Sequence, residues 1–274
     1  MNILIIYAHP EPQSLTASLK NFAIEVLTQA GHSVQVSDLY AMNWKAQIDG
    51  SDFLDRIDPN RLDIVKESGK AFAQGSQTPD VIAEQEKLRW ADAVIFQFPY
   101  WWFSIPAIMK GWVERVFAYG FAYGVGGSNR WRYGDGNLKG KRAMLSITIG
   151  GPEKDYSVRG INGAINDLLF PIHHGILFFA GMSVLPPFLV YSASRLTEPD
   201  YQQVEANYKE RLLTLFTTEP TLFRHQNDGD YDDRYQLKPG IEGDTAGLQI
   251  HQHPAMPMAH ASVLATPEDI KIAA

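Results

Sequence analysis

Short apolar runs rich in β-branched residues alternate along the chain with segments whose apolar positions recur every three or four residues, a rhythm that predicts strands separated by helices. Asn2 to Ala8 (NILIIYA) reads as a buried strand. In Leu15 to Ala30, residues Leu15, Leu19, Phe22, Val26 and Leu27 share one face and Gly31 ends the segment, as an amphipathic helix requires. Ser33 to Leu39 alternates like a second strand, and Thr78-Pro79-Asp80 is a start signal for a helix over Asp80 to Trp90. Ala93 to Phe98 is the third strand, Pro106 to Ala118 a helix with proline in its first turn, and Ala143 to Ile149 the fourth strand. A helical stretch from Ile161 to Leu169, a fifth strand from Ser183 to Val190 and a helix from Pro199 to Phe216 complete the series.

Strands separated by helices imply a parallel sheet covered on both faces. With right-handed crossovers, five strands favour a flavodoxin-like, doubly wound α/β sheet of order 2-1-3-4-5. Three segments fall outside the rhythm: Asn43 to Gln77, Gly120 to Gly140, and everything after Thr217. The expected division is a catalytic domain over 1–216 and an irregular extension over 217–274, whose composition equally suits a disordered tail.

Composition narrows the chemistry. The chain has 274 residues, 45% of them hydrophobic, a net charge of -7 and no cysteine. A packed core is well supplied, while disulfides, thiolate metal sites and cysteine nucleophiles are excluded. The 24 basic residues are scattered against 31 acidic ones, which argues against a nucleic-acid surface. No run of 18 apolar residues appears and the first residues do not resemble a leader, so a cytoplasmic protein without membrane insertion is expected.

In an open α/β sheet, ligands bind beyond the carboxyl ends of the strands where strand order reverses, which here selects the loops after strands one, three and four. The first, His9 to Thr16, leads into a helix N-terminus with hydroxyls at Ser14, Thr16 and Ser18, a setting for phosphate; its plainer reading is that Ser14 caps the helix. Neither a P-loop nor a GxGxxG pattern occurs in the chain. The second, Gln97 to Pro106, carries Tyr100, Trp101, Trp102 and Phe103 in succession, to be covered by another segment or stacked on a planar ligand such as a flavin. The third has Thr148, Ile149, Gly150 and Gly151, then Tyr156 and Asn162; the glycines allow close backbone approach or merely a turn, and a tyrosine hydroxyl there can donate to a carbonyl that gains charge. Gly120 to Gly127 adds Phe121 and Tyr123 on a glycine-rich loop suited to closing over a flat substrate, or to being a flexible surface loop.

At these residues the sequence resembles the NAD(P)H:quinone oxidoreductase (DT-diaphorase) family. The likeness runs from Met1 to about Phe216 and is dense at SDLYAMN (Ser37 to Asn43), PDVIAEQ (Pro79 to Gln85), VIFQFPYWWFSIPAIMKGW (Val94 to Trp112), FAYG (Phe121 to Gly124), LSITIGG (Leu145 to Gly151) and PIHHGIL (Pro171 to Leu177). It implies an enzyme that reduces quinones by two electrons from a nicotinamide through a bound flavin. The family's flavin contacts point to His9, Leu15, Thr16, Pro99, Tyr100, Trp101, Trp102, Phe103, Thr148, Ile149, Gly150, Gly151 and Tyr156. Its quinone and nicotinamide pocket points to Trp102, Phe103, Ala122, Tyr123, Gly124 and Phe179, with Phe179 on the same wall or from a partner subunit, because the family's unit is a homodimer. The loop His9 to Thr16 and the overall length resemble members that bind FAD rather than FMN.

Some positions depart from the pattern. Where many members pair the active-site tyrosine with histidine, this sequence has Tyr156 with Asn162, as in ribosyldihydronicotinamide-dependent relatives, and the resemblance leaves NADH, NADPH or another dihydronicotinamide as the donor. A second tyrosine of the substrate loop is replaced by Val125. Of the metal ligands in those relatives only His174 is matched, Phe178 standing at the second position, so no metal is expected. The competing readings are a flavin- or nucleotide-binding regulatory subunit of an ion-transport system, and a flavodoxin-like electron carrier.

Overall fold

The computed structural model describes residues 1–124 and 130–253, together with the backbone of 261–262. Val125 and the end of the extension lie outside the described residues. The sheet is built from β1 (Asn2–Tyr7), β2 (Ser33–Asp38), β3 (Ala93–Pro99), β4 (Arg142–Thr148), β5 (Ser183–Val184) and β6 (Phe188–Val190). The helices are α1 (Leu15–Gln29), α2 (Ile64–Gln74), α3 (Pro79–Trp90), α4 (Ala107–Val116), α5 (Ile165–Ile172) and α6 (Glu198–Leu213). The strands run parallel in the order β2-β1-β3-β4-β6, with β5 also on β4 and the two-residue β7 (Ala261–Ser262) beside β6. The expected 2-1-3-4-5 arrangement is therefore the observed one.

Strand periodicity sorts the core into two layers. Ile3 and Ile5 point to a cluster with Leu19, Leu27, Tyr208 and Leu212 of α1 and α6. Leu4 and Ile6 point to the opposite cluster, with Leu88 of α3, Trp112 of α4 and Leu169 of α5. Both faces are covered, so β1 and β3 read as nearly uninterrupted apolar runs. The second layer also contains a polar brace: the buried Trp112 indole donates to Glu84 Oε2 (2.8 Å), whose other oxygen accepts from Lys87 (2.6 Å).

Several elements differ from the sequence expectations. The segment Asn43 to Gln77 is not irregular throughout: it contains α2, capped by Asp63 at its start and by left-handed Gly75 at its end. Its first part lies on α4 so closely that a Cβ on Gly111 would sit 1.9 Å from the Ala46 carbonyl oxygen. Buried Arg115 of α4 pins it there through Asp52 (2.8 Å) and also pairs with Asp80 of α3 (2.7 Å). The fifth strand is split, because Pro186 and Pro187 have no N–H to donate to the ladder. The expected helix from Ile161 begins only at Ile165: Asn162 N–H turns back to the Asp155 carbonyl (2.9 Å), and Gly163 adopts a left-handed φ of 85°. Beyond its proline, α5 continues as a wider π-helical turn over His173–Phe178. Within the described part of the chain after Thr217, Phe223, Arg224, Gln226 and Gln252 are buried.

Candidate functional site

The carboxyl ends of β1, β3 and β4 come together as the strand order requires. Tyr7 pairs with Gln97, and Pro99 with Thr148. Three backbone bonds carry the ladder into the loops: Ala8 N–H to the Gln97 carbonyl (3.1 Å), Tyr100 N–H to Thr148 (2.8 Å) and Ile149 N–H to Val190 (2.8 Å). A buried relay fixes the start of α1 over this edge. The Thr16 and Thr148 hydroxyls share a 2.8 Å hydrogen bond, Gln97 Nε2 donates to the Thr16 carbonyl (2.7 Å), and the Tyr208 hydroxyl donates to Gln97 Oε1 (3.1 Å). Gln97 was not among the expected site residues. Its signal was present, since a lone amide inside the run AVIFQF is costly to bury unless each of its polar atoms has a partner.

At the mouth of α1, Ser14 accepts from the Ala17 amide (3.1 Å), so the plain capping reading of Ser14 holds. The N–H groups of Leu15 and Thr16 have no acceptor among the described residues and lie at the positive end of the helix dipole, leaving donors for an anionic group. His9 flanks them, accepting from the Glu11 amide through Nδ1 (3.0 Å), with its ring 5.6 Å from that of Trp101. Burial lowers the His9 pKa, favouring the neutral ring that this bond requires.

After β3 the aromatic run forms a tight turn. Ser104 N–H closes on the Trp101 carbonyl (3.1 Å), and both central residues, Trp102 (φ 50°) and Phe103 (φ 60°), are left-handed. Side chains with a Cβ enter that region at about 1 to 2 kcal/mol each, so a turn that glycine or asparagine would make without strain is here made by two bulky rings. Strain of this kind is characteristic of functional loops. Trp102 is 94% exposed, and Trp101 and Phe103 are about half exposed. Tyr100 instead turns inward, where its hydroxyl is buried with no hydrogen-bond partner among the described residues and burial raises its pKa.

The loop after β4 completes this side. Tyr156 lies against Tyr100 (6.3 Å, edge on) and Tyr191 (5.7 Å), and burial raises its pKa. A Cβ on Gly150 would meet nothing within 4 Å, whereas one on Gly151 would press on the Tyr156 ring at 3.0 Å. Gly150 thus leaves an open face and Gly151 seats the tyrosine. Asn162 is joined to the loop through its backbone, but its side chain makes no hydrogen bond with Tyr156. Thr148, Ile149 and Pro99 are buried, so any contact they make is through the backbone or the edge of the strand.

The remaining expected residues form a second group. Tyr123 packs on Tyr119 (5.6 Å) and Phe179 (5.1 Å), and Phe179 meets Tyr133 edge on (5.0 Å). Ala122 is fully buried, and Gly124 (φ 72°) lies so close to Tyr119 that a Cβ would be 2.3 Å from its ring. Among the described residues no ring contact joins this group to Trp101, Trp102, Phe103 or Tyr156. His174, at the one matched metal-ligand position, is packed between the rings of Phe170 (4.6 Å) and Tyr133 (4.9 Å), and burial brings its pKa down to about 4. No cluster of three or more metal-ligating side chains occurs among the described residues.

A sequence model described as flavodoxin-like fold matches residues 1–212. A ribosyldihydronicotinamide dehydrogenase-like protein of Penicillium crustosum is 51% identical over 235 residues, covering 84% of this chain and 87% of that protein. The NAD(P)H dehydrogenase (quinone) 1 of Cavia porcellus is 39% identical, covering 93% of this chain and 94% of its own length. A crystal structure from Klebsiella pneumoniae, described as a quinone reductase, superimposes with a TM-score of 0.89 at 54% identity, covering 92% of this chain and 99% of that one. The edge geometry and these likenesses agree: the chain belongs to the flavodoxin-like fold family and, within it, to the quinone dehydrogenases that use NAD(P)H or ribosyldihydronicotinamide.

Proposed function

We propose that the chain is a flavin-dependent quinone reductase whose active site is the mouth formed by the loops after β1, β3 and β4. The observation that carries this reading is the strained turn at Trp102 and Phe103, held open at the strand edge where the fold places ligands. The residues fit a flavin: free amides at Leu15 and Thr16 suit its phosphate, Gly150 leaves room for a ring, and the aromatic turn supplies stacking surface. A bound flavin would supply the two-electron chemistry, accepting a hydride from the dihydronicotinamide and passing the electrons to the quinone.

The protein's part is positional and electrostatic. The Thr16–Thr148 and Gln97 relay holds the start of α1 at a fixed distance from β4. Trp102 and Phe103 orient the flat reactants and keep water from them. The Tyr156 hydroxyl, with its pKa raised, stays protonated and donates to the developing charge. Asn162 contributes hydrogen bonding without a titratable proton.

FAD is the proposed flavin, with FMN the less favoured choice, and NADH or NADPH the proposed co-substrate. A homodimer accounts for two features together. Val158 (89% exposed), Ile161 (91%) and Trp102 (94%) leave apolar surface around the mouth, and the Tyr123–Phe179 group is set apart from it within one chain, so a partner subunit's copy would complete the pocket. No helix among the described residues is long and apolar enough to cross a membrane, and a cytoplasmic location is proposed. The regulatory-subunit reading is not supported: the relatives that match over most of the chain are dehydrogenases by name.

The test is to release the cofactor and weigh it, then to titrate the purified protein anaerobically with NADH or NADPH. A yellow protein carrying FAD, bleached by the nicotinamide and recoloured by one equivalent of a benzoquinone, is expected. A flavin that no dihydronicotinamide reduces would overturn the reading.

A further inference from the structure

Tyr123 and Phe179 stand on segments far apart in the chain, a turn flanked by glycines and the end of the π-helical stretch after α5, yet their rings meet at 5.1 Å. Residues 131–138 run between these segments and bond to both. On one side Tyr133 N–H donates to the Phe179 carbonyl (3.0 Å), Gly134 N–H to Phe178 (2.8 Å) and Leu138 N–H to Ala180 (2.9 Å). Gly136 presses so close to the same backbone that a Cβ there would lie 2.2 Å from the Ala180 carbonyl carbon. On the other side Asn137 supplies three bonds to the turn. Its backbone N–H donates to the Ala122 carbonyl (2.9 Å), and its Nδ2 donates to the carbonyls of Gly120 (2.9 Å) and Gly124 (3.2 Å).

The two hydrogens of one side-chain amide are thus spent on the two carbonyls that bracket Tyr123. The turn needs such a brace. Gly120 (φ 88°) and Gly124 (φ 72°) are both left-handed, and glycine enters that region as readily as it leaves it, so the conformation is not fixed by the glycines themselves. Within the turn Gly120 N–H closes on the Tyr123 carbonyl (2.7 Å), and the Tyr123 ring is held between Tyr119 (5.6 Å) and Phe179. A rotation of the turn that moved this ring off Phe179 would break the Asn137 bonds.

We infer that Asn137 is a positioning residue of the acceptor pocket, its amide fixing the turn 120–124 and with it the Tyr123 face on which a flat quinone stacks. Asn137 acts through Tyr123 and touches no reactant itself. The inference deepens the quinone-reductase reading and rests on it, because it takes Tyr123 as a wall of that pocket. An apolar side chain at 137 would leave two carbonyls without their donors, and a carboxylate would set its charge against them.

The experiment is calorimetric titration of the oxidised, flavin-loaded protein with 2-methyl-1,4-naphthoquinone in the absence of any reductant, so that binding is read without turnover. Asn137→Leu and Asn137→Asp, the second keeping the shape of the side chain, should each weaken quinone binding about fivefold or more at neutral pH, with flavin content unchanged. Relative to wild type, Asn137→Asp should regain part of the affinity as pH falls from about 7 to about 5, because a protonated carboxyl can donate to a carbonyl and carbonyl neighbours favour that form. Asn137→Leu has no proton to regain and should not recover. Tyr123→Ala should weaken binding at least as much as either. Wild-type affinity in both Asn137 variants beside a weakened Tyr123→Ala would overturn the role of Asn137 and leave the reductase reading standing. Unchanged binding in Tyr123→Ala, or no saturable binding by the wild type, would overturn the wall and the inference together. No recovery in Asn137→Asp, or an equal one in Asn137→Leu, would assign the loss to general loosening and likewise overturn the inference.

Discussion

Two aromatic-rich regions of this chain behave oppositely. At Tyr100 to Phe103 the backbone bears left-handed strain and three rings remain in the open. Around His174, by contrast, Phe170, Phe178 and Phe223 surround the imidazole, with Phe178 at 5.6 Å and Phe223 at 5.2 Å from it and both buried. Both stretches are rich in aromatic residues as sequence. Their difference is that the second has the extension to cover it and the first has nothing over it among the described residues. Burial turns one set of rings into stability, and exposure leaves the other available for binding.

The contrast predicts separable effects, the largest on the covered side. Phe178→Ala should cost about 3 to 5 kcal/mol in urea unfolding, the usual range for a buried phenylalanine. A loss below about 1 kcal/mol would mean that the cluster is not a packed core.

Acid should act on the same region. His174 has a folded pKa near 4, below the unfolded value of about 6.5, so between these limits the unfolded chain binds more protons and stability falls as pH falls. The fully buried His173, at about 3, acts in the same direction. His174→Phe should remove on the order of 2 to 3 kcal/mol of the loss between pH 6.5 and 4. An unchanged pH slope in that variant would assign the acid sensitivity elsewhere.

On the open side the effects should appear in rates. Tyr156→Phe should slow flavin reduction about tenfold, the equivalent of about 1.4 kcal/mol. Asn162→His should add a pH dependence between about pH 6 and 8, because a histidine with a reference pKa of about 6.5 titrates there and asparagine does not. Stopped-flow reduction across pH separates the two variants. Unmodified rates in Tyr156→Phe and no new pH dependence in Asn162→His would remove both from the mechanism.

The same contrast explains what the sequence could and could not reveal. β1, β3 and β4 were legible because runs such as ILIIY and AVIFQF have only one comfortable place, between two helical layers. Strand order followed, and with it the site's location. The helix α2 was obscured because its apolar residues are few, Ile64 and Val65 remain largely exposed, and Gly69 sits in its middle, although the apolar residues it has share one face. The split at Pro186 and Pro187 was visible as residues but outweighed by the apolar run around them. The bracing of Tyr123 by Asn137 could not be read at all, since it depends on which way the carbonyls of Gly120 and Gly124 point. The outward turn at Trp102 likewise depends on backbone conformation rather than residue type.

Trp102 decides the central claim, that the exposed turn serves reactants and not the fold. Trp102→Gly removes the ring and relieves a left-handed residue, so the account predicts a protein at least as stable, by up to about 1 kcal/mol, together with weakened flavin retention and quinone reduction in the anaerobic titration. Stacking lost there is worth roughly 0.5 to 1.5 kcal/mol, or about a threefold to tenfold fall in affinity. A variant that unfolds more easily yet holds flavin and reduces quinone as before would show the opposite, that the ring supports the structure and the reactants bind elsewhere.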